Sequence, residues 1–291
     1  MIEGIITKGV GGFYYVRTLD STIKSRARGV FREDNLTPLV GDRVKVRISP
    51  EDNTGYIVEI APRKSQLLRP PVANITQAII VISIKKPEAN LWLLDKFLLM
   101  AEYEGLDILI CLNKSDLDMD KAEEYKDIYI KAGYDVIITS AKEGLGIDDL
   151  KNRLLNNISV FAGPSGAGKS SLLNKINLGF NLETGDVSTK TKRGKHTTRH
   201  VELLKFYDNA YVLDSPGFSS LDLSFIEDER EVRSYFREIH KYGEECKFLT
   251  CLHDKEPNCA IKSYLEDGII HKTRYENYLS LMNEVKNIRR Y

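Results

Sequence analysis

The octapeptide Gly163-Pro164-Ser165-Gly166-Ala167-Gly168-Lys169-Ser170 restricts the fold of this chain more than any other feature. It fits the pattern G-x-x-x-x-G-K-[ST]. The apolar run 158–162 precedes it, and Ser171-Leu172-Leu173-Asn174 opens a helical stretch behind it. Strand, glycine loop and helix in this order form the building unit of a parallel α/β sheet. The glycines let the backbone curl so that successive N–H groups point inward, and the helix N-terminus adds a positive field. Such a loop cradles phosphates. Lys169 can reach the β- and γ-oxygens, and Ser170 can ligate Mg²⁺.

The flanking sequence agrees with an α/β domain. Apolar runs at 78–82, 108–112 and 136–138 alternate with helical patterns at 91–103 and 119–132, and the texture continues at 158–162 and 210–213. Continuous apolar strands separated by helices mean a mainly parallel sheet covered on both faces. One α/β domain is expected over 71–230. Residues 1–70 differ: 12 Lys/Arg face 8 Asp/Glu, and short strands recur at 3–6, 12–17 and 42–48 between turn residues. Val44-x-Val46-x-Ile48 alternates, which leaves Arg43, Lys45 and Arg47 on the face away from the core. A small β-barrel of the oligonucleotide-binding (OB) type is expected there. From 231 to 291 the chain changes again, with three of its four cysteines between 246 and 259 and a basic end carrying Lys286, Arg289 and Arg290.

Composition excludes several classes. Lys+Arg and Asp+Glu are both 42, so the chain is neither a histone-like polycation nor an acidic tail protein. Its longest apolar stretch, 75–84, falls far short of the roughly 20 residues of a membrane helix. No basic segment followed by an apolar one opens the chain, and four cysteines do not make a disulfide scaffold. A cytoplasmic monomer without membrane association is expected.

Two motifs at strand ends address the base. Asn113-Lys114-Ser115-Asp116 follows the run 108–112, at the carboxyl edge where open α/β sheets bind ligands. A carboxylate there accepts from the N1–H and exocyclic amine of guanine, whereas adenine offers neither donor in that arrangement. Charged hydrogen bonds contribute about 1.5–3 kcal/mol each, so guanine is strongly selected. Asn113 would tie this turn to the phosphate loop and the Lys114 stem would stack on the base. Ser140-Ala141-Lys142, after 136–138, would present a backbone N–H to the guanine carbonyl with Lys142 flanking the ring. Asp214-Ser215-Pro216-Gly217 has the form D-x-x-G: Asp214 would hold Mg²⁺ through water and the Gly217 N–H would meet the γ-phosphate. Between loop and D-x-x-G lies Gly194-Lys195-His196-Thr197-Thr198-Arg199-His200, where one threonine, Thr198 in preference to Thr197, would supply a second hydroxyl beside Mg²⁺.

Cys246-x₄-Cys251-x-His253-x₅-Cys259 places three thiols and an imidazole within fourteen residues. Cys₃His is a closed tetrahedral set and hence a structural zinc site, able to hold together a segment too small for a core of its own. Cys111 lies mid-strand and reads as packing. His240 and His271 stand outside the ligand spacing.

In an ordinary GTPase the phosphate loop, threonine switch and D-x-x-G precede the base-reading motifs. Here 113–116 and 140–142 come first, a circular permutation. Movable chain ends allow this, because the site is assembled in space. Barrel, permuted motifs, G-K-H-T-T-R-H and the cysteine spacing together resemble the circularly permuted, ribosome-small-subunit-dependent GTPase A family along essentially the whole chain. The resemblance implies GTP hydrolysis stimulated by the small (30S) ribosomal subunit, a role late in that subunit's maturation, rRNA contact by the barrel, zinc module and basic tail, and zinc on the same four ligands. Phe218 stands where many GTPases carry the water-positioning glutamine. Intrinsic turnover should therefore be slow, with His196 the foremost local group to orient water and Arg199 or Lys195 alternatives for phosphate charge. In the permuted order 218–245 runs directly toward the zinc module and would couple γ-phosphate state to it. A nucleotide-sensing RNA-binding module without turnover, and a P-loop ATPase or kinase, are the competing readings.

Overall fold

A computed structural model describes residues 1–27, 31, 36–50, 54–68, 71–177, 179–180, 182, 201–207, 209–214 and 222–288, the side chains of Leu68 and Asp214 excepted. The chain divides into two compact units, 1–77 with 151–161 and 188–219, and 78–150 with 162–187 and 220–291.

In the first unit, β1 (Ile2–Val10), β2 (Phe13–Arg17), β3 (Thr22–Ala27), β4 (Arg43–Ile48) and β5 (Gly55–Ile60) form a sheet in the order β1-β2-β3-β5-β4, and β4 pairs back onto β1. The sheet therefore closes into a five-stranded barrel, and β3 and β5 run parallel at the crossover. This is the expected OB arrangement. Alternation fills the barrel: Ile6, Val16, Val46 and Ile57 are fully buried while Arg43 and Arg47 face outward. β6 (Gln66–Leu68) and β7 (Pro71–Ala73) make a short hairpin after it. The same unit holds β11 (Ile158–Ala162, to Phe161), β12 (Glu202–Tyr207) and β13 (Ala210–Asp214). β11 is parallel to β13, but β12 is antiparallel to it and also pairs with β1 at Lys8↔Glu202. The mainly parallel pattern read from the sequence thus has an antiparallel member, because β12 and β13 are joined by a tight turn rather than a helix.

The second unit carries β8 (Gln77–Ser83, from Ala78), β9 (Asp107–Asn113) and β10 (Asp135–Ile138), ordered β10-β9-β8. Every residue of β8 is buried, which is why it reads as an unbroken apolar run. Helix α1 (Leu91–Tyr103) starts where Asn90 Oδ1 accepts from Leu93 N at 2.9 Å. Helix α2 (Met119–Lys131) starts where Asp118 accepts from Lys121 N at 3.1 Å. Each cap supplies an acceptor to a helix-end N–H that has no partner within the helix. Helix α3 (Ile147–Leu154) leads to β11, and α4 (Lys169–Ile176) follows the phosphate loop.

The C-terminal helices α5 (Arg237–Gly243), α6 (Ala260–Glu266) and α7 (Lys272–Asn287) belong to this second unit. Arg274 of α7 is almost wholly buried. Its guanidinium donates to Asp95 of α1 at 2.6 Å and to both carboxylate oxygens of Glu238 of α5 at 2.6 and 3.0 Å. Asn277 and Tyr129 donate to the same Asp95 at 2.6 and 2.8 Å. Burial pushes the Asp95 carboxyl up, and Arg274, Asn277 and Tyr129 oppose that shift. The chain that leaves the D-x-x-G is seated on α1 too: Leu223 and Ile226 are buried, and the Phe225 ring lies 4.4 Å from Tyr103.

Candidate nucleotide site and metal centre

The phosphate loop closes against β8 and β9. At Gly163 φ is +133°, and a Cβ would stand 2.0 Å from the Val81 carbonyl oxygen of β8. At Gly168 φ is +95°, and a Cβ would stand 2.3 Å from Asn113 Nδ2. Both positions need glycine twice over, for the backbone angle and for the missing side chain. Asn113 is the joint between motifs. Its Nδ2 donates to Ala167 O at 2.8 Å, and its Oδ1 accepts from Ala141 N at 3.2 Å and from Thr139 Oγ1 at 3.3 Å. One buried amide therefore binds the phosphate loop, its own turn and the S-A-K loop together.

Asp116 is set by its neighbour: Ser140 Oγ donates to Asp116 Oδ1 at 2.6 Å and accepts from Glu143 N at 3.1 Å. Lys114 sits in the left-handed region at φ 62°, and its ammonium donates to the carbonyl of Lys86. Lys142 pairs with Glu143 at 3.0 Å, a contact that raises its pKa, with Asp116 adding to the shift.

These residues enclose a cavity of about 550 Å³. Asn113, Lys114, Asp116, Ala141, Lys142, Gly168 and Ser171 line it, so the N-K-S-D, S-A-K and phosphate-loop segments meet at one place. The volume suits a ligand of nucleotide size. Gly163, Pro164, Ser165, Gly166 and Ala167 form the turn leading into Gly168, and Ser170 stands between Lys169 and the lining Ser171 in the first turn of α4. The Lys169 ammonium is tied back to the Gly163 and Pro164 carbonyls at 2.7 and 2.8 Å, and burial lowers its pKa. A phosphate group would offer that ammonium a negative partner in place of two neutral carbonyls.

Sequence reading missed Lys86, Leu117, Asn174 and Lys175, which also line the cavity. Lys86 follows β8 at the same carboxyl edge as the N-K-S-D turn, and that position was the available signal. Asn174 and Lys175 lie about one turn beyond Ser171 on α4, a face that only packing orients. Cys111 is packing: its buried thiol meets Thr139 Oγ1 at 3.1 Å, and burial pushes its pKa up to about 12. Lys195, His196, Thr197, Thr198, Arg199, Gly217 and Phe218 lie outside the described residues, as does the side chain of Asp214, whose backbone ends β13.

The Cys₃His set converges. The donor atoms of Cys246, Cys251, His253 and Cys259 all lie within 4.8 Å of one another. Sulfur–sulfur distances are 3.8 Å for Cys246–Cys259 and Cys251–Cys259, and His253 Nδ1 lies 3.5 and 3.3 Å from the Cys246 and Cys259 sulfurs. A tetrahedron with metal–sulfur bonds of about 2.3 Å has edges of about 3.8 Å, so the set fits a four-coordinate metal. Nδ1 is the ring nitrogen that faces the sulfurs and would coordinate. A Cβ at Gly243 would approach the far edge of the same ring to 3.1 Å. Burial lowers His253 to about 4, which keeps the imidazole neutral and ready to ligate, and pushes Cys251 up to about 12. Tyr275 and Tyr278 hydroxyls donate to the His253 and Leu252 carbonyls at 2.7 and 2.9 Å, and Arg233 donates to the Leu249 carbonyl at 2.8 Å. His240 lies within α5, and His271 caps α7, so neither joins the set.

Fold and pocket define a P-loop GTPase whose base-reading strands precede its phosphate loop in the chain. Residues 60–224 match the RsgA GTPase family model and residues 3–57 the RsgA N-terminal domain model. The chain belongs to the RsgA GTPase family. It is 49% identical over 288 residues to the small ribosomal subunit biogenesis GTPase RsgA of Caldanaerobacter subterraneus subsp. tengcongensis, covering 98% of this chain and 96% of that one. A Clostridium perfringens protein of the same name is 48% identical over 289 residues, 99% of each chain. Among solved structures, YloQ, described as a circularly permuted GTPase, aligns with a TM-score of 0.83 at 39% identity over 100% of this chain and 97% of its own. YjeQ from Thermotoga maritima aligns at 0.85 with 38% identity over 99% of each. No helix among the described residues is long and apolar enough to cross a membrane.

Proposed function

We propose that the protein is a GTPase whose hydrolysis is stimulated by the small ribosomal subunit and which assists a late step of that subunit's maturation. The observation that carries this is the single cavity shared by the N-K-S-D turn, the S-A-K loop and the phosphate loop. The relatives' names, at nearly half identity along the whole chain, support the partner.

In this reading Asp116, held by Ser140, accepts from the guanine edge. The Ala141 N–H and Lys142 flank the base, and Lys114 covers its face from the Lys86 carbonyl. Asn113 keeps these parts in register with Gly163 to Ser171 around the phosphates, and Lys169 leaves its two loop carbonyls for phosphate oxygens. The hydroxyls of Ser170 and Thr198 would hold Mg²⁺, with Asp214 reached through water. Mg²⁺ neutralises charge on the β- and γ-oxygens when bound. His196 is the group assigned to the attacking water, and the Gly217 N–H is assigned to the γ-phosphate. The Cys₃His set takes one structural zinc. Residues 1–70 serve as the RNA-facing barrel, 71–230 as the permuted GTPase domain and 231–291 as the zinc module. The protein works in the cytoplasm as a monomer with GTP, GDP and rRNA as its ligands.

Phosphate release from GTP, titrated with isolated small and large ribosomal subunits, tests the reading. Stimulation by the small subunit alone is expected. Equal turnover with both, or with neither, overturns it.

A further inference from the structure

The N-K-S-D turn is gripped by a residue that belongs to neither base-side motif. Thr139 is fully buried and stands between the end of β10 and the S-A-K loop. Its N–H donates to the Leu112 carbonyl at 2.8 Å, which seats it beside the end of β9. Its carbonyl accepts twice from Ser115, from N at 3.2 Å and from Oγ at 3.0 Å. Its hydroxyl donates to Asn113 Oδ1 at 3.3 Å. Side chain and main chain of one residue thus hold the turn on both sides of Lys114, which lies at φ 62°. That left-handed conformation is costly for a residue with a Cβ, and it persists where neighbours over-determine it.

A proton count fixes the direction of the side-chain contacts. Asn113 Nδ2 faces the Ala167 carbonyl and Oδ1 faces the Ala141 N–H, so the amide has one orientation. Oδ1 has no proton to give, so the Thr139 hydroxyl proton points at it. The Thr139 oxygen is then free to accept from Cys111, whose sulfur lies 3.1 Å away. Burial keeps that thiol protonated, its pKa pushed up to about 12, so an S–H is present to donate. The order runs from Cys111 S–H to Thr139 O–H to Asn113 Oδ1, and each donor polarises the next. We propose that Thr139 is a positioning residue for guanine nucleotide: its hydroxyl and carbonyl clasp Asn113 and Ser115 and so hold Lys114 and Asp116 at the cavity wall. Asn113, Lys114 and Asp116 line the cavity, and Thr139 acts through them. The clasp rests on reading this cavity as the guanine-nucleotide site, whereas the hydrogen-bond order stands on geometry alone. It lies on the base side, so the diphosphate and the triphosphate depend on it equally.

Fluorescent GDP and GTP analogues titrated against the full-length, zinc-loaded protein test the clasp, together with KM and kcat for GTP in the presence of small subunits. Thr139→Val keeps the shape and removes the hydroxyl. With one neutral hydrogen bond at stake, it should weaken GDP and GTP alike by about three- to tenfold and raise KM in proportion, with kcat within about twofold of wild type. Thr139→Ser, which restores the hydroxyl, should bring affinity back to within about twofold. Ser115→Ala removes the Oγ grip without touching Thr139 and should cost about threefold, which keeps the clasp testable if the valine variant does not fold. Infrared spectroscopy reads the donor order directly. Zinc-bound cysteines are thiolates, so in the loaded protein the S–H stretch belongs to Cys111 alone. Donation to Thr139 weakens the S–H bond and lowers its frequency. The band should move up in Thr139→Val, stay in place in Thr139→Ser and vanish in Cys111→Ala. Wild-type affinity in both Thr139→Val and Ser115→Ala overturns the inference. So does an equal loss in the valine and serine variants, which assigns the effect to volume, or a fall in kcat with KM unchanged. A band that Thr139→Val leaves unmoved removes the proton order on which the role of the hydroxyl depends. Wild-type protein that binds no guanine nucleotide refutes the functional reading instead.

Discussion

In the proposed function, guanine selection rests on one carboxylate and the hydroxyl that aims it. Ser140 takes one oxygen of Asp116, which leaves the other for the base edge. Asp116→Asn replaces an acceptor by a donor against guanine N1–H, where charged hydrogen bonds are worth about 1.5–3 kcal/mol each, so GTP affinity should fall at least about tenfold. Xanthosine triphosphate, whose edge matches the amide, should bind in exchange. Equilibrium competition between the two nucleotides checks both halves, and unchanged GTP affinity removes Asp116 from the base. Lys169 predicts a pH effect. Burial lowers its pKa in the free protein, and bound phosphates would raise it again. A group whose pKa is higher in the complex takes up a proton on binding, so GTP affinity should decline as alkaline pH rises through the lowered value. A flat profile across that range counts against phosphate contact by this lysine.

Elements impose their own constraints. The strand–loop–helix unit was legible because its glycines are bound by a rule, yet the reason for Gly163 is tertiary: the Val81 carbonyl of a different strand occupies the space a Cβ would need. Gly163→Ala should therefore abolish nucleotide binding and cost about 1–3 kcal/mol in chemical denaturation, because a backbone atom cannot step aside. The metal loop makes a second case. His253 near 4 is neutral at pH 7, while Cys251 near 12 and the raised Cys259 are protonated thiols without metal. Zinc uptake at pH 7 should release roughly two to three protons, all from cysteines, measurable by calorimetry in buffers of differing ionisation heat. Chelation or Cys251→Ser should loosen 246–259 and lower small-subunit affinity; an unchanged circular dichroism spectrum after metal removal would count against a structural site. The cysteine spacing made the ligand set readable, but not the nitrogen: Nδ1 faces the sulfurs while the Cε1–Nε2 edge lies against Gly243, where a Cβ would approach it to 3.1 Å.

On the scale of the whole molecule, the C-terminal helices are held through Arg274. Arg274→Met would leave Asp95 and Glu238 buried without their cation, a loss of about 3–5 kcal/mol. The sign of its pH dependence follows. Asp95, whose carboxyl burial pushes up, binds more protons folded than unfolded, so the variant's deficit should shrink as pH falls through its raised range and be largest at neutral pH. Urea denaturation at pH 5 and pH 7 compares the two. Nothing in 91–103 or 270–291 announced this pairing, since Asp95 and Arg274 are separated by most of the chain and each is of a type usually found on surfaces.

Local pattern alone pointed to the phosphate loop, the two base-side turns, the Cys₃His set, the helices at 91–103 and 119–132 and the inverted order of the motifs. Each is a short-range signal, written in spacing, periodicity or backbone permissiveness. Tertiary structure decided the rest: that Asn113 joins three loops, that Lys86, Asn174 and Lys175 wall the cavity, that β12 runs antiparallel beside β1, and that Arg274 reaches across to α1. Those features are distances between residues far apart in the chain. They are set by which faces pack together, and packing is a property of the assembled fold that no local window contains.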